Sequence, residues 1–205
     1  MPRGKGKRED ILKAATEVFG SKGFYRANMV DIAEVAGIGK GTIYEYFKSK
    51  DSLFIEVVKY NAALHGQMLE QQVSSQKTFI DKIRSFIVCV RTIIKENTKF
   101  ACMFLNSPAD ISLTAEAKKE LYNFLLNGRN KIVRLLVEIL SQGRKEAMIR
   151  NTDIEFAADT LLDMIIRCSM RSVLLNLSDK QIQKENKKLL DLFMQGVGNT
   201  INYSK

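Results

Sequence analysis

The chain has 205 residues, of which 45% are hydrophobic, so it can bury a sizeable core in one large or two small domains. Its formal net charge of +9 at pH 7 favours an anionic partner such as nucleic acid. No uninterrupted apolar run reaches the ~18 residues of a membrane span, and the basic N-terminus lacks the apolar stretch of a secretion signal. Three widely spaced cysteines, Cys89, Cys102 and Cys168, are typical of reduced core residues in a cytoplasmic protein.

A short cationic arm interrupted by glycines, residues 1–8, opens the chain. It could lie along phosphates or reach into a minor groove, or it could be a solvated tail that improves solubility. A first helix is predicted at about 7–21, with apolar residues at helical spacing on one face and Gly23 closing it. Asn28 suits the N-cap of a second helix, because its side chain can accept a hydrogen bond from the first turn.

The stretch 31–51 reads DIAEVAGIGKGTIYEYFKSKD and predicts two short helices around a glycine turn. Ile32 lies on the apolar face of the first helix, and Gly37 permits the left-handed backbone that ends it. Ile43 and Phe47, one turn apart, anchor the second helix against the first. The donors and small residues of the second helix are left on its outer surface. This is the helix-turn-helix arrangement that enters a DNA major groove.

The rest of the chain also shows helical periodicity, with only two prolines in the whole sequence. A fourth helix is expected to begin at Ser49 and to continue towards Gln72 without a flexible linker, so that one helix belongs to both parts of the chain. Thr152 and Ser178 are the N-caps expected for the last two helices. Further helices are predicted at about 76–96, 99–106, 114–145, 153–177 and 179–202. The fold class is therefore all-α.

Several motifs fall in a recognisable order within residues 7–55: G-F-Y, D-I-A-x-x-A-G, K-G-T-x-Y-x-Y-F and K-S-K. They resemble the DNA-binding signature of TetR/AcrR-family transcriptional regulators. The run G-R-K-E-A-M-I-R-N-T-D at 143–153 resembles the family's connection between its seventh and eighth helices. The resemblance implies about nine helices, with a three-helix DNA-binding head and its basic arm at 1–50. It also implies a larger helical effector-binding and dimerisation body at 51–205.

Seven positions match residues that contact DNA in that family. The resemblance places Lys40, Gly41 and Thr42 at the N-terminal end of the recognition helix, inside the groove. It places Tyr44 where bases or backbone are contacted, and it assigns phosphate contacts to Asn28, Tyr46 and Lys50.

Two residues depart from the family's pattern. Gly39 replaces a frequent serine and weakens the expected helix cap. Glu45 puts an acid on the recognition helix, where it could accept from cytosine N4 or point away from DNA.

The body offers apolar, adaptable side chains that could line an effector cavity between helices, although such residues at helical spacing could equally be ordinary core. Arg167 and Arg171 interrupt an apolar helix one turn apart. They could hold an effector carboxylate or phosphate, but an Asp163–Arg167 pair at a surface or interface is the favoured reading. The candidate apolar residues are Phe86, Cys89, Val90, Phe100, Met103, Phe104, Phe124 and Met164.

Enzymatic activity is not expected, because His65 is the single histidine and no phosphate-binding loop follows a strand. No metal or cofactor is predicted. The function predicted is that of a ligand-responsive repressor that binds a palindromic DNA operator and is released by a small, largely apolar effector. The alternative is an effector-independent TetR-like DNA-binding or protein-partnering module. An apolar stripe within 182–201 predicts a homodimer formed by the helices near 153–177 and 179–202.

Overall fold

A computed structural model of the protein describes residues 3–97 and 113–199. Those residues form no regular strand, and their fold is all-α, as the sequence predicts. The helix predicted at 99–106 lies outside the described residues. Eight helices are described: α1 Arg3–Arg26, α2 Met29–Val35, α3 Lys40–Tyr46, α4 Lys50–Ser74, α5 Phe79–Glu96, α6 Ala115–Lys145, α7 Ile154–Leu174 and α8 Asp179–Val197.

The described residues divide into two compact units, each with its own hydrophobic core. The first unit holds the described residues of 1–64 and 97–126, and the second those of 65–96 and 127–205. Helices α4 and α6 each contribute residues to both units. The functional boundary predicted at residue 50 falls at the start of α4 and stays a prediction.

Three phenylalanines form the centre of the first core. The ring centroid of Phe54 lies 5.2 Å from that of Phe19 and 4.8 Å from that of Phe24, both in edge-on arrangements. Edge-on pairs place the positive ring edge on a negative ring face and contribute about 0.5–1.5 kcal/mol beyond the burial of area. Leu121 of α6 is buried in the same core. The helix-turn-helix therefore rests on a well-packed support.

Two predictions for the helix-turn-helix, the Asn28 cap and the left-handed Gly37, are confirmed. The Asn28 side chain caps α2 by accepting a hydrogen bond of 2.8 Å from the backbone N–H of Asp31. Gly37 has a φ of 65°, in the left-handed region that glycine adopts without steric cost. Gly23 interrupts the helical backbone of α1 with a φ of 75°, as predicted, and a short turn continues beyond it to Arg26. The helix begins at Arg3, earlier than the predicted residue 7.

The N-cap expected at Thr152 is wrong by one residue. Asp153 caps α7, and its carboxylate accepts from the backbone N–H of Phe156 at 3.0 Å. The Thr152 carbonyl instead accepts a hydrogen bond from Arg144. Ser178 does precede α8, as predicted, with its backbone N–H donating to the Gln181 side chain at 2.8 Å.

A backbone clamp ends α8 in the second unit. Helix α8 stops at Val197, earlier than the predicted residue 202, because Gly198 is extended and pairs with Ile149 in an isolated antiparallel bridge. Arg150 donates its backbone N–H to the Val197 carbonyl at 3.0 Å, and Asn199 donates to the Met148 carbonyl at 2.9 Å. The last helix is thereby tied to the connection between α6 and α7.

Among the described residues, no helix combines the length and apolarity needed to cross a bilayer.

Candidate nucleic-acid interface and effector site

The recognition helix α3 is anchored by its inner face. Ile43 is fully buried. Phe47, the C-cap of the helix, is also buried. Half-buried Tyr46 packs against the same core. Because the helix has only seven residues, these contacts rather than intrinsic propensity hold it in place. Its N-cap, Gly39, makes no side-chain hydrogen bond, as the sequence predicts.

The opposite face of α3 is open to solvent. Lys40, Gly41, Tyr44 and Glu45 are exposed, and Thr42 is half-buried. Together these residues offer an ammonium, a hydroxyl, a phenol and a bare backbone, with the carboxylate of Glu45 beside them. Such groups can donate to phosphates and read base edges.

Asn28 contributes from the start of α2. Its carbonyl oxygen is occupied by the cap on Asp31, and its amide group is exposed. The Nδ2 group, which donates, has no partner among the described residues. The Asp31 carboxylate accepts from the Lys22 ammonium at 2.7 Å, and this hydrogen bond holds the pKa of Asp31 below its usual value.

Lys50 has an unexpected environment. Its ammonium donates to the backbone carbonyls of Phe24, Tyr25 and Ala27, at 3.0, 3.4 and 3.1 Å. It also lies 4.5 Å from the Phe24 ring centroid. The ammonium is thus held by carbonyls of residues 24–27, the segment that follows the kink at Gly23. Phosphate contact by Lys50 stays a prediction, and it would require the ammonium to share or release one carbonyl.

Arg8, placed by the sequence in the cationic arm, is anchored to the head. Its guanidinium lies over the Phe47 ring, 5.3 Å from the centroid, and forms an ion pair with Glu56 of α4. The Lys59 ammonium forms further ion pairs, with the carboxylate of Glu56 at 2.9 Å and with that of Glu120 of α6 at 2.8 Å. The hydrogen bonds that the Lys59 ammonium donates to Glu120 and Glu56 raise the pKa of Lys59. Apart from the Lys59–Glu56 pair, which lies within one turn of α4, these contacts join residues distant in sequence and leave no local pattern that could predict them.

Tyr25 is a second residue that the sequence reasoning missed. It follows the buried Phe24 at the end of α1 and is 84% exposed. Its phenol is therefore open to solvent three residues before the capping Asn28.

The predicted effector residues fall in different places. Phe86, Cys89 and Val90 are buried in the second core, and half-buried Met164 packs against it. Phe124 packs against the first core. Phe100, Met103 and Phe104 lie outside the described residues.

The favoured Asp163–Arg167 pair is not formed. The Asp163 carboxylate lies 3.1 Å from Nη1 of Arg129, a residue of α6. Arg129 also contacts Asp159 at 2.7 Å, so its guanidinium bridges two successive turns of α7. Arg167 itself is exposed.

No group of three or more His, Cys, Asp or Glu side chains suited to a metal ion occurs within residues 3–97 and 113–199.

Comparison with known proteins agrees with this geometry. Residues 11–57 match the family model described as bacterial regulatory proteins, tetR family. The fatty acid metabolism regulator protein of Bacillus subtilis is 30% identical over 83 residues, which cover 40% of this chain and 43% of that protein. The matched stretch is thus less than half the length of that relative.

Two solved structures share the fold over nearly the whole chain. A putative TetR-family regulator from Mesorhizobium loti has a TM-score of 0.81 at 20% identity, covering 97% of this chain and 100% of that one. FadR from Bacillus subtilis, solved with stearoyl-CoA, has a TM-score of 0.70 at 22% identity, covering 92% and 98%. The relatives named here are regulators and not enzymes, in agreement with the sequence. Residues 11–57 thus match the DNA-binding region of bacterial regulatory proteins of the tetR family, and the fold of the chain is that of the solved TetR-family structures.

Proposed function

We propose that this protein is a ligand-responsive transcriptional repressor that binds a palindromic DNA operator as a homodimer. The observation that carries the proposal is the two-sided recognition helix. Ile43 and Phe47 fix its inner face to the phenylalanine core, while Lys40, Gly41 and Tyr44 stand exposed on the other. A helix held rigidly at its base with donors outward is suited to a major groove.

Within this interface each residue has a distinct role. Gly41 lets the DNA backbone or a base approach closely, and the Thr42 hydroxyl and methyl read a base edge. Lys40 and Tyr44 contact DNA phosphates or bases, and Tyr46 contacts the phosphate backbone of the DNA. The free Nδ2 group of Asn28 donates to a phosphate while its oxygen keeps the cap.

Dimer formation is supported by apolar side chains exposed on the last two helices. Phe156 and Leu174 of α7 are 71% and 76% exposed, and Leu192 of α8 is 61% exposed. The stripe predicted for this role packs within the subunit instead: Leu189, Leu190 and Phe193 are buried, and Ile182 and Val197 are half-buried. We propose that Phe156, Leu174 and Leu192, which lie outside that stripe, pair across a two-fold axis in a four-helix interface.

The effector is proposed to be a small, largely apolar molecule. The Bacillus subtilis relative is named a fatty acid metabolism regulator, and FadR of Bacillus subtilis was solved with stearoyl-CoA. The second core supplies Phe86, Cys89, Val90 and Met164, which an apolar ligand could displace. Helix α4 contributes to both units and is the element proposed to carry the switch.

The alternative is an effector-independent DNA-binding or protein-partnering module. The observation that favours it is the packing of Phe86, Cys89 and Val90 as buried core. A ligand that occupies the body and changes operator affinity separates the two functions, because the alternative has no such ligand.

Selection of bound duplexes from random oligonucleotides tests DNA recognition. The proposal predicts enrichment of an inverted repeat with half-sites about 34–36 Å apart, one helical turn or a multiple of it. A single unrepeated site, or no enriched sequence, would contradict the proposed operator.

A further inference from the structure

Arg91 is a buried charge that neither the DNA interface nor the predicted effector residues explain. It lies on α5 and is only 3% exposed. Its Nη2 donates to the Ser172 hydroxyl, to Oε2 of Glu185 at 2.9 Å and, at 3.5 Å, to the Cys168 carbonyl. One end of the guanidinium is thus held by α7 and α8.

The other two nitrogens of Arg91 are unsatisfied. Nε and Nη1 are buried and have no hydrogen-bond acceptor among the described residues. Together they carry three N–H donors. Buried donors are almost always paired with protein, water, an ion or a ligand, because leaving them unpaired in a low-dielectric interior is costly.

The local charges are also unbalanced. Glu185 is shared between Arg91 and Arg171, so two guanidinium groups face one carboxylate. Burial raises the pKa of Glu185, but the hydrogen bonds from Arg91 and Ser172 and the charge of Arg171 outweigh it, and the pKa is lowered. Glu185 is therefore ionised at neutral pH, and the cluster keeps one excess positive charge.

Along α5, Arg91 is flanked by apolar residues of the second core. Ile87, one turn earlier on α5, is 1% exposed, and Ile94, near one turn later, is partly buried in the same core. An anionic oxygen group next to Arg91 would thus have its apolar remainder among hydrocarbon side chains, where ionic hydrogen bonds are strengthened.

We propose that Arg91 anchors the effector in the body and that the effector is an amphiphilic anion. A carboxylate or phosphate accepts from Nε or Nη1, and an alkyl or similar apolar part packs in the second core. This inference rests on the proposed ligand-responsive function. It moves the anionic contact from Arg167, which is exposed, and Arg171, 58% of whose side chain is exposed, to a desolvated arginine.

The test uses the full chain and three ten-carbon probes: decanoate, decyl phosphate and the neutral decanol. Calorimetric titration is expected to give at least about tenfold tighter binding of one anion than of decanol. Arg91→Met, which keeps an unbranched apolar stem and leaves Glu185 paired with Arg171, is expected to remove that preference and leave decanol binding unchanged. Arg171→Met removes the exposed arginine from the same carboxylate and is expected to keep the preference.

Folding of each variant is checked by helical circular dichroism and operator affinity without probe. If Arg91→Met does not fold, Arg91→Lys keeps the charge but lacks Nε and Nη1, and it must still bind the anion at least severalfold more weakly. Tighter binding of decyl phosphate than of decanoate would identify phosphate as the preferred group.

Equal wild-type affinity for anions and decanol, no binding of any probe, or a preference that survives in the Arg91 variants would overturn the proposal. If decanol alone binds and releases the operator, the ligand-responsive function stands without this anchor. If the anions bind through Arg91 and operator affinity does not change, the anchor stands and the repressor switch fails.

Discussion

At the scale of single residues, Thr42 and Lys40 separate two kinds of DNA contact. Thr42 is proposed to read a base edge, so Thr42→Ala is expected to relax base preference at one position of each half-site, at about 1–3 kcal/mol of discrimination. Lys40→Ala is expected to weaken binding to all sequences and to reduce the slope of log affinity against log salt by about 1. Fluorescence anisotropy with operator and single-base variants measures both. Unchanged affinities in both folded variants would remove DNA binding from this face.

Lys50 shows how one side chain supports the fold of the head. Because its ammonium joins the start of α4 to three carbonyls near the end of α1, Lys50→Met is expected to lower the free energy of unfolding by about 1–3 kcal/mol. Lys48→Met, at an exposed position two residues earlier, is expected to change it by no more than about 0.5 kcal/mol. Urea unfolding compares the two. Equal stabilities would show that the three Lys50 hydrogen bonds contribute nothing to stability and would leave phosphate contact as the main role of Lys50.

At the scale of elements, helix α6 contains two glycines with opposite constraints. A Cβ atom on Gly143 would lie 2.7 Å from Cδ2 of Phe79, whose side chain is fully buried, whereas a Cβ on Gly128 would meet nothing within 4 Å. Gly143→Ala is therefore expected to destabilise the protein by about 1–3 kcal/mol. Gly128→Ala is expected to stabilise it by about 0.4–1 kcal/mol, because alanine restricts the unfolded chain. Chemical denaturation that ranked the variants the other way would contradict this packing.

The elements also show what the sequence can and cannot predict. Asn28, Gly37 and the Ile43–Phe47 spacing were sufficient to predict the helix-turn-helix, because caps, left-handed turns and amphipathic periods are local properties. Thr152 and Asp153 are adjacent, and both have side chains that can cap a helix. The sequence alone does not decide between them, and the prediction of Thr152 was wrong.

The predicted site was incomplete for a different reason. The hydrogen bonds of Lys50 to backbone carbonyls and the buried pairing of Arg91 with Glu185 join residues 23 or more positions apart. Such contacts depend on how helices pack, which hydrophobic periodicity does not specify. The apolar stripe of α8 was likewise expected at a dimer interface, but packing buries its Leu189, Leu190 and Phe193 within the subunit and leaves Leu192, outside the stripe, exposed.

At the scale of the whole molecule, the proposed function requires a homodimer. Sedimentation at micromolar concentration in physiological salt is expected to give a dimer. Leu192→Glu, on the exposed face of α8, is expected to weaken association at least about tenfold, because a charge is costly to bury in an apolar interface. Val88→Glu, at a similarly exposed position of α5, is the control and is expected to leave the dimer intact. A wild-type monomer, or a Leu192 variant as dimeric as the control, would contradict the interface.

The most direct measurement of the central claim is operator affinity with and without a ligand shown to occupy the body. Effector binding is predicted to favour a subunit arrangement that mis-spaces the two recognition helices, since half-sites about 34–36 Å apart tolerate little error. Operator affinity should therefore fall on ligand binding, and by linkage operator DNA should weaken ligand binding by the same factor. Equal operator affinities with the body empty and occupied would contradict a ligand-responsive repressor and favour the effector-independent module.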